Sequence, residues 1–214
     1  IVPCTFKSAV IRMNKKFSCL QYKEKITLLK TSRILIPSLD PRARETSFKE
    51  FPMIRKAYKE ILGIHFIDHF SINMVLKNQQ MLVFSICPEI AYTLYSCPNG
   101  IKQDLAISPT FYENLDFFFW EDCYDEKYKF EIMSKKEQRF GIKAGAVIVK
   151  EINGIKYLFS FGTKFSADNF KQDVFTKQSF YKNLGEGCLE IMASSLEKYI
   201  ELPKLNPAKL YFLR

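Results

Sequence analysis

The sequence predicts an α+β fold in which an antiparallel β-sheet is flanked by helices, as in an α/β/α sandwich. Two segments with the features of β-hairpins predict the sheet, one within residues 65–86 and one around Asn153-Gly154. Amphipathic segments before, between and after them predict the helices. A chain of 214 residues, 47% of them hydrophobic, is long enough to fill the core of one such domain.

The first clear helix is predicted from Ser47 to Leu62. The Ser47 side chain can cap free backbone N–H groups, and Glu50 three residues later would complete a capping box. The apolar stripe consists of Phe51, Ile54, Tyr58, Ile61 and Leu62. Gly63 follows this stripe, which indicates the end of the helix.

The residues after Gly63 alternate between apolar and polar side chains, as in a strand with two different faces. One face holds Phe66, Phe70, Ile72, Met74 and Leu76, and the other holds His65, His69, Ser71 and Asn73. A turn at residues 77–79 leads into the apolar run MLVFSI. Together these segments predict the first antiparallel hairpin.

The middle of the chain predicts several short helices. One opens at Pro88, another follows Ser108-Pro109, and a longer, highly charged helix runs from Glu126 to Arg139. The residues of the charged helix and its end that we expect to face inward are Tyr128, Ile132 and Phe140.

The second hairpin is the strongest local signal. Strands are predicted at Ala144–Ile152 and Ile155–Thr163, and the Asn153-Gly154 pair between them is typical of a two-residue hairpin turn. A helical region then extends from residue 167 toward 202, with an interruption predicted near Gly185–Gly187.

Charge and composition predict three regions. Residues 1–60 contain 14 basic and 5 acidic residues, whereas the rest of the chain contains 18 of each. Such an excess is typical of a surface for nucleic acid, membrane or an acidic partner, but the scattered charges favour a solvated face. Because SLDPRARETS has the composition of a linker, we expect a basic extension at 1–42, a sensor-like domain at 43–202 and a linker or further domain start at 203–214.

Several kinds of chemistry have no signature here. The six cysteines form no CxxC pair, so we expect free thiols in a reducing compartment. No signal segment or long apolar run is present, which predicts a cytoplasmic protein that contacts no membrane. No catalytic motif, metal-ligand spacing or phosphate-binding loop is found, so we expect no enzyme activity, metal or cofactor.

The candidate site lies in the aromatic stretch that contains the single tryptophan, Trp120. Asp104 stands in an apolar setting, where a carboxylate is costly unless a partner is bonded to it. Either a ligand N–H or the backbone of a capped turn would serve as that partner. Trp120 offers an indole N–H and a flat face, and Tyr92 and Tyr95 offer phenol groups from the preceding helix.

The order of residues in this stretch resembles the autoinducer-binding domain of LuxR-type transcription regulators. In that family an aromatic residue on a Pro-started helix is followed nine residues later by an Asp. A Trp, a helix, a G-x-x-x-G pair and a final hairpin come next. Here Tyr95, Asp104 and Trp120 stand in that order, Gly141 and Gly145 supply the pair, and YLFSFGT supplies the last strand.

The resemblance implies a PAS- and GAF-like sensor of quorum-sensing signals that regulates transcription as a homodimer. It implies that a small-molecule signal lies between the sheet and the short helices. Asp104 would accept the ligand amide N–H, Tyr95 would bond a carbonyl, and Trp120 would pack on the head group. Tyr92 and Ser160 are further candidates for polar contacts.

Two points at the edges of the resemblance matter. The family's first aromatic, a tryptophan that binds the lactone carbonyl, is replaced by Ala91 here, which counts against an acyl-homoserine lactone. The sequence LNPAKLYFLR resembles the opening of the family's helix-turn-helix domain, so we expect DNA binding to need residues beyond Arg214. The alternative function is a protein-interaction or effector domain with a degenerate sensor fold and no ligand.

Overall fold

The computed structural model describes residues 21–27, 38–90 and 104–200. The strands are β1 (Ser38–Leu39), β2 (His69–Val75), β3 (Gln80–Ser85), β4 (Phe117–Phe119), β5 (Ala144–Ile152) and β6 (Ile155–Thr163). The α-helices are α1 (21–27), α2 (Ala43–Lys49), α3 (Phe51–Lys59), α4 (Pro109–Tyr112), α5 (Lys129–Phe140), α6 (Ala167–Thr176) and α7 (Gln178–Leu196). Short 3-10 turns lie at Ile64–Phe66, Leu105–Ile107, Trp120–Asp122 and Glu197–Tyr199.

The strands form one sheet in the order β1-β3-β2-β6-β5-β4. The short β1 runs parallel to β3, and the other neighbouring strands are antiparallel, which confirms the predicted α+β fold. β5 and β6 have the predicted bounds. Asn153 and Gly154 between them have φ values of 55° and 76°, the left-handed conformations that a tight hairpin turn requires.

Helices cover both faces of the sheet. On β2, the alternate residues Phe70, Ile72 and Met74 are buried in one core, together with side chains from α3, α6 and α7. A second core on the opposite face contains Val83 and Leu158, and it is covered by α1, α4 and the segments that follow β4. The α/β/α layering is therefore present, and the predicted alternation is confirmed from His69 onward. For His65 and Phe66 the prediction is wrong, because both lie in a 3-10 turn before β2.

The prediction of a single helix from Ser47 to Leu62 is wrong. The chain forms α2 and α3, which meet at Glu50. Ser47 lies inside α2, where its hydroxyl donates to the carbonyl of Ala43 and lies 2.5 Å from the carbonyl of Val83. Glu50 accepts a 2.7 Å hydrogen bond from the hydroxyl of Tyr199 instead of bonding back to Ser47.

The interruption predicted near Gly185–Gly187 is also wrong. The break falls at Lys177, between α6 and α7, and α7 continues through both glycines. A Cβ on Gly185 would lie 2.4 Å from the ring of Phe159 in β6. This glycine therefore lets α7 pack close to the sheet.

Parts of the predicted N-terminal extension pack on the domain. Tyr22 of α1 is hydrogen bonded to Asp122 at 2.5 Å, and its oxygen accepts from the backbone N–H of Phe119. The linker-like residues 38–47 form β1 and the start of α2. The division of the chain at residues 42 and 43 stays a prediction.

Two further findings concern the part of the chain that the structure describes. Cys87 and Cys188 are free thiols. Among the described helices, none has the length and apolar character needed to cross a membrane.

Candidate functional site

A row of serines crosses the polar face of the sheet. Ser71 on the central strand β2 is paired in register with Ser85 on β3 and with Ser160 on β6. All three are buried. Because side chains alternate along a strand, the three hydroxyls lie on the face opposite Phe70 and Ile72.

Trp120 lies against this face. The edge strand β4 ends at Phe119, and a 3-10 turn then carries the indole back over the sheet. The indole N–H donates a 2.9 Å hydrogen bond to the hydroxyl of Ser160, and the residue is only 8% exposed. Its ring rests on Gly145 of β5, where an added Cβ would lie 2.1 Å from the indole. The glycine of the G-x-x-x-G pair thus makes room for the tryptophan.

Asp104 is placed by the turn that precedes α4. One carboxylate oxygen accepts a 3.0 Å hydrogen bond from the backbone N–H of Ala106, so the side chain caps the following 3-10 turn. The other oxygen lies 3.6 Å from the ammonium of Lys136. The residue is 3% exposed. The turn-capping interpretation of Asp104 therefore holds, and its contact with a ligand stays a prediction.

Lys136 is a site residue that the sequence prediction missed. It projects from α5 into the interior, where its ammonium donates to the hydroxyl of Tyr124 at 2.6 Å and lies 4.3 Å from the centre of the Trp120 ring. Burial lowers the pKa of Lys136, and Asp104 partly opposes that effect. A signal was present, because position 136 lies four residues from both Ile132 and Phe140 on the inward stripe.

His69 completes the group. It is 4% exposed and its ring meets the edge of Trp120, with 5.7 Å between the ring centres. Burial is the main reason that the pKa of His69 is lowered to about 3, and the nearby charges of Lys136 and Lys164 add to it. The imidazole is therefore neutral at ordinary pH.

These side chains surround one cavity. Its polar lining consists of His69, Ser71, Asn73, Ser85, Asp104, Trp120, Lys136 and Ser160. Its apolar lining consists of Val83, Ile90, Ala106, Val147 and Leu158. The volume of the cavity is about 70 Å³, which is below the roughly 300–1,000 Å³ of typical small-molecule sites, so a ligand of that size would need the lining side chains to move apart. The side-chain oxygen of Asn73 is buried there without a hydrogen-bond partner in the described structure.

The structure brings together three of the five candidate residues. Asp104, Trp120 and Ser160 line the same cavity. Tyr92 and Tyr95 lie outside the described residues, as does Ala91. The arrangement combines hydrogen-bond donors and acceptors with a flat aromatic ring and aliphatic side chains, which is the chemistry needed to hold a small molecule with polar and apolar parts.

Comparison with known proteins gives a fold likeness only. No model of a protein family and no curated protein matches the sequence. Escherichia coli SdiA is similar at 15% identity over 76% of this chain and 71% of that chain, with a TM-score of 0.47. SdiA in complex with octanoyl-rac-glycerol is similar at 12% identity over 87% and 71%, with a TM-score of 0.42. Because the sequence identities and TM-scores are this low, the function of this chain has to be inferred from the residues of its own cavity.

Proposed function

We propose that this chain is a non-catalytic sensory domain that binds a small amphiphilic molecule in the cavity beside Trp120. The observation that supports this function is the convergence of buried polar side chains on one cavity at one face of the sheet. Buried polar groups cost stability unless each has a partner, so their concentration at a cavity is typical of a binding site.

The proposed contacts divide the cavity into a polar and an apolar part. Asp104 would accept a hydrogen bond from a ligand N–H or O–H, and the unpaired oxygen of Asn73 is a second acceptor. The indole face of Trp120 would cover the head group. Val147 and Leu158 would contact the apolar part of the ligand. The biological setting that we propose is transcription regulation of the LuxR type by a cytoplasmic homodimer.

The second candidate function is a protein-interaction or effector domain that has no ligand. One specific observation favours it: two of the proposed contact groups already have partners inside the protein. The Trp120 indole is bonded to Ser160, and Asp104 is bonded to Ala106 and faces Lys136. A domain in which these bonds are permanent would need no small molecule.

A titration that follows Trp120 fluorescence separates the two functions, because this is the single tryptophan of the chain. Octanoyl-rac-glycerol and N-octanoyl homoserine lactone are suitable amphiphilic probes, and native mass spectrometry of the purified protein would detect a bound molecule. We expect saturable changes in emission and a rise in melting temperature with at least one probe. If no probe binds and none co-purifies, the effector function is the better one.

The variant Asp104→Ala tests the site itself. Losing a hydrogen bond to a charged group should weaken probe binding about 10-fold or more. Asp116→Ala is the matched control, because Asp116 is an exposed aspartate outside the cavity lining. Equal affinities for the two variants would show that the probe binds elsewhere.

A further inference from the structure

Lys136 occupies a position where an apolar residue would cover Trp120 at lower cost. The inward stripe of α5 passes through Ile132, Lys136 and Phe140, and the side chain of Lys136 is 14% exposed. Burying an ammonium costs several kcal/mol unless it is well paired. A methionine at this position would fill the same space without that cost. The retained charge therefore points to a role in the cavity.

The ammonium is only partly satisfied by its described surroundings. It has three N–H donors, and the hydroxyl of Tyr124 accepts one of them at 2.6 Å. The Asp104 oxygen at 3.6 Å neutralises the charge but is too distant for a hydrogen bond. The ring of Trp120 stabilises the cation from 4.3 Å without accepting a conventional hydrogen bond. Donor capacity thus remains at the wall of the cavity.

The charge balance limits what that donor can bind. Asp104 and Lys136 carry opposite charges, and His69 is neutral, so the charges among the described lining residues cancel. A ligand carboxylate or ammonium would introduce an unbalanced charge into a buried site. A neutral carbonyl oxygen accepts a hydrogen bond without disturbing this balance.

We propose that Lys136 determines specificity by donating a hydrogen bond to an uncharged carbonyl oxygen, such as that of an acyl ester or amide, held against the Trp120 ring. Lys136 has this role only if the cavity binds a small molecule, so the inference rests on the proposed function. The Asp104–Lys136 ion pair, which has no net charge, then offers two contacts to the ligand. Asp104 is available for a ligand donor and Lys136 for a ligand acceptor.

A pair of probes that differ in the carbonyl tests this role in the wild-type protein. Octanoyl-rac-glycerol and 1-O-octyl-rac-glycerol share the glycerol hydroxyls and chain length, but the ether lacks the carbonyl oxygen. We expect the ester to bind about 10-fold or more tightly, as one charge-assisted hydrogen bond would give, in titrations followed by Trp120 fluorescence. Equal affinities would overturn the role of Lys136 and leave the proposed function standing. Binding of neither probe would count against the proposed function itself.

The variant Lys136→Met assigns the preference to the ammonium. It keeps a side chain of similar bulk, and we expect it to bind the ester and the ether with equal affinity. Lys135→Met is the matched control, because Lys135 lies on the same helix with its side chain 66% exposed, and it should keep the wild-type ratio. A preference that survives in Lys136→Met would assign the carbonyl contact to another donor. The wild-type ratio tests the role even if this variant does not fold.

A second pair of probes tests the requirement for a neutral carbonyl. Methyl octanoate and octanoate have the same acyl chain and differ in the charge of the head group. The ester should bind more tightly to the wild-type protein, because the carboxylate adds an unbalanced negative charge beside Asp104. Tighter binding of octanoate would overturn the neutral carbonyl and indicate that Lys136 binds an anion.

Discussion

The two faces of the central strands bury different kinds of side chain. On one face Phe70, Ile72 and Phe159 are completely buried under helices and contact apolar neighbours. On the other face His69 and Ser160 are also buried, but they border a cavity together with charged side chains. Apolar burial stabilises the fold wherever it occurs, whereas buried polar groups cost free energy unless they are paired. The comparison indicates that the first face packs as an apolar core, whereas the second combines another apolar core with a cavity lined by polar groups.

Neighbouring residues on β6 give the largest expected contrast between the faces. Phe159→Ala should lower the free energy of unfolding by about 3–5 kcal/mol, because it leaves a cavity in the apolar core. Ser160→Ala removes one hydrogen bond to Trp120 and should cost only about 1 kcal/mol. Urea denaturation followed by circular dichroism measures both values. Similar losses for the two variants would contradict the proposed division between the faces.

Close packing at a glycine gives the next largest effect. A Cβ on Gly145 would lie 2.1 Å from the Trp120 indole, so Gly145→Ala should displace the ring, shift its emission to longer wavelength and cost about 3 kcal/mol. Gly187→Ala is the control, because a Cβ there meets nothing within 4 Å and alanine favours a helix. Unchanged emission of the Gly145→Ala protein would show that the position of the Trp120 ring does not depend on its contact with Gly145.

The parts of the fold that depend on local pattern were predictable. The alternation along β2 and the Asn153-Gly154 turn each involve only residues that are close in sequence. The break between α2 and α3 had a local signal that the single-helix prediction overlooked, because Pro52 lies in the first turn of α3 and proline favours the start of a helix. The hydrogen bond from Tyr199 to Glu50 was not predictable, because no local pattern reveals the position of Tyr199 in the fold. In the same way, Gly185 resembles a helix breaker until its packing against Phe159 is known.

The candidate site was predictable in part. Asp104 and Trp120 stood out as an acid in an apolar setting and as the single tryptophan, and both line the cavity. Lys136 was missed because a charged residue argues against burial, although it lies on the stripe defined by Ile132 and Phe140. The resemblance suggested Ser160 as a ligand contact, whereas in this structure it bonds the indole.

The smallest of these effects concerns the protonation of His69 on the polar face. Its pKa is lowered to about 3 by burial first, and then by Lys136 and Lys164, whereas an unfolded histidine titrates near 6.5. Between these values the unfolded chain binds a proton that the folded protein does not, so stability falls as the pH falls. Between pH 7 and pH 5 this group should remove about 2 kcal/mol from the free energy of unfolding. His69→Gln should lose less stability than the wild type over that range in urea denaturation, because the carboxylates titrate in both proteins. Equal losses would mean that the folded protein can protonate His69, and the polar face would then be more open to water than its buried side chains indicate.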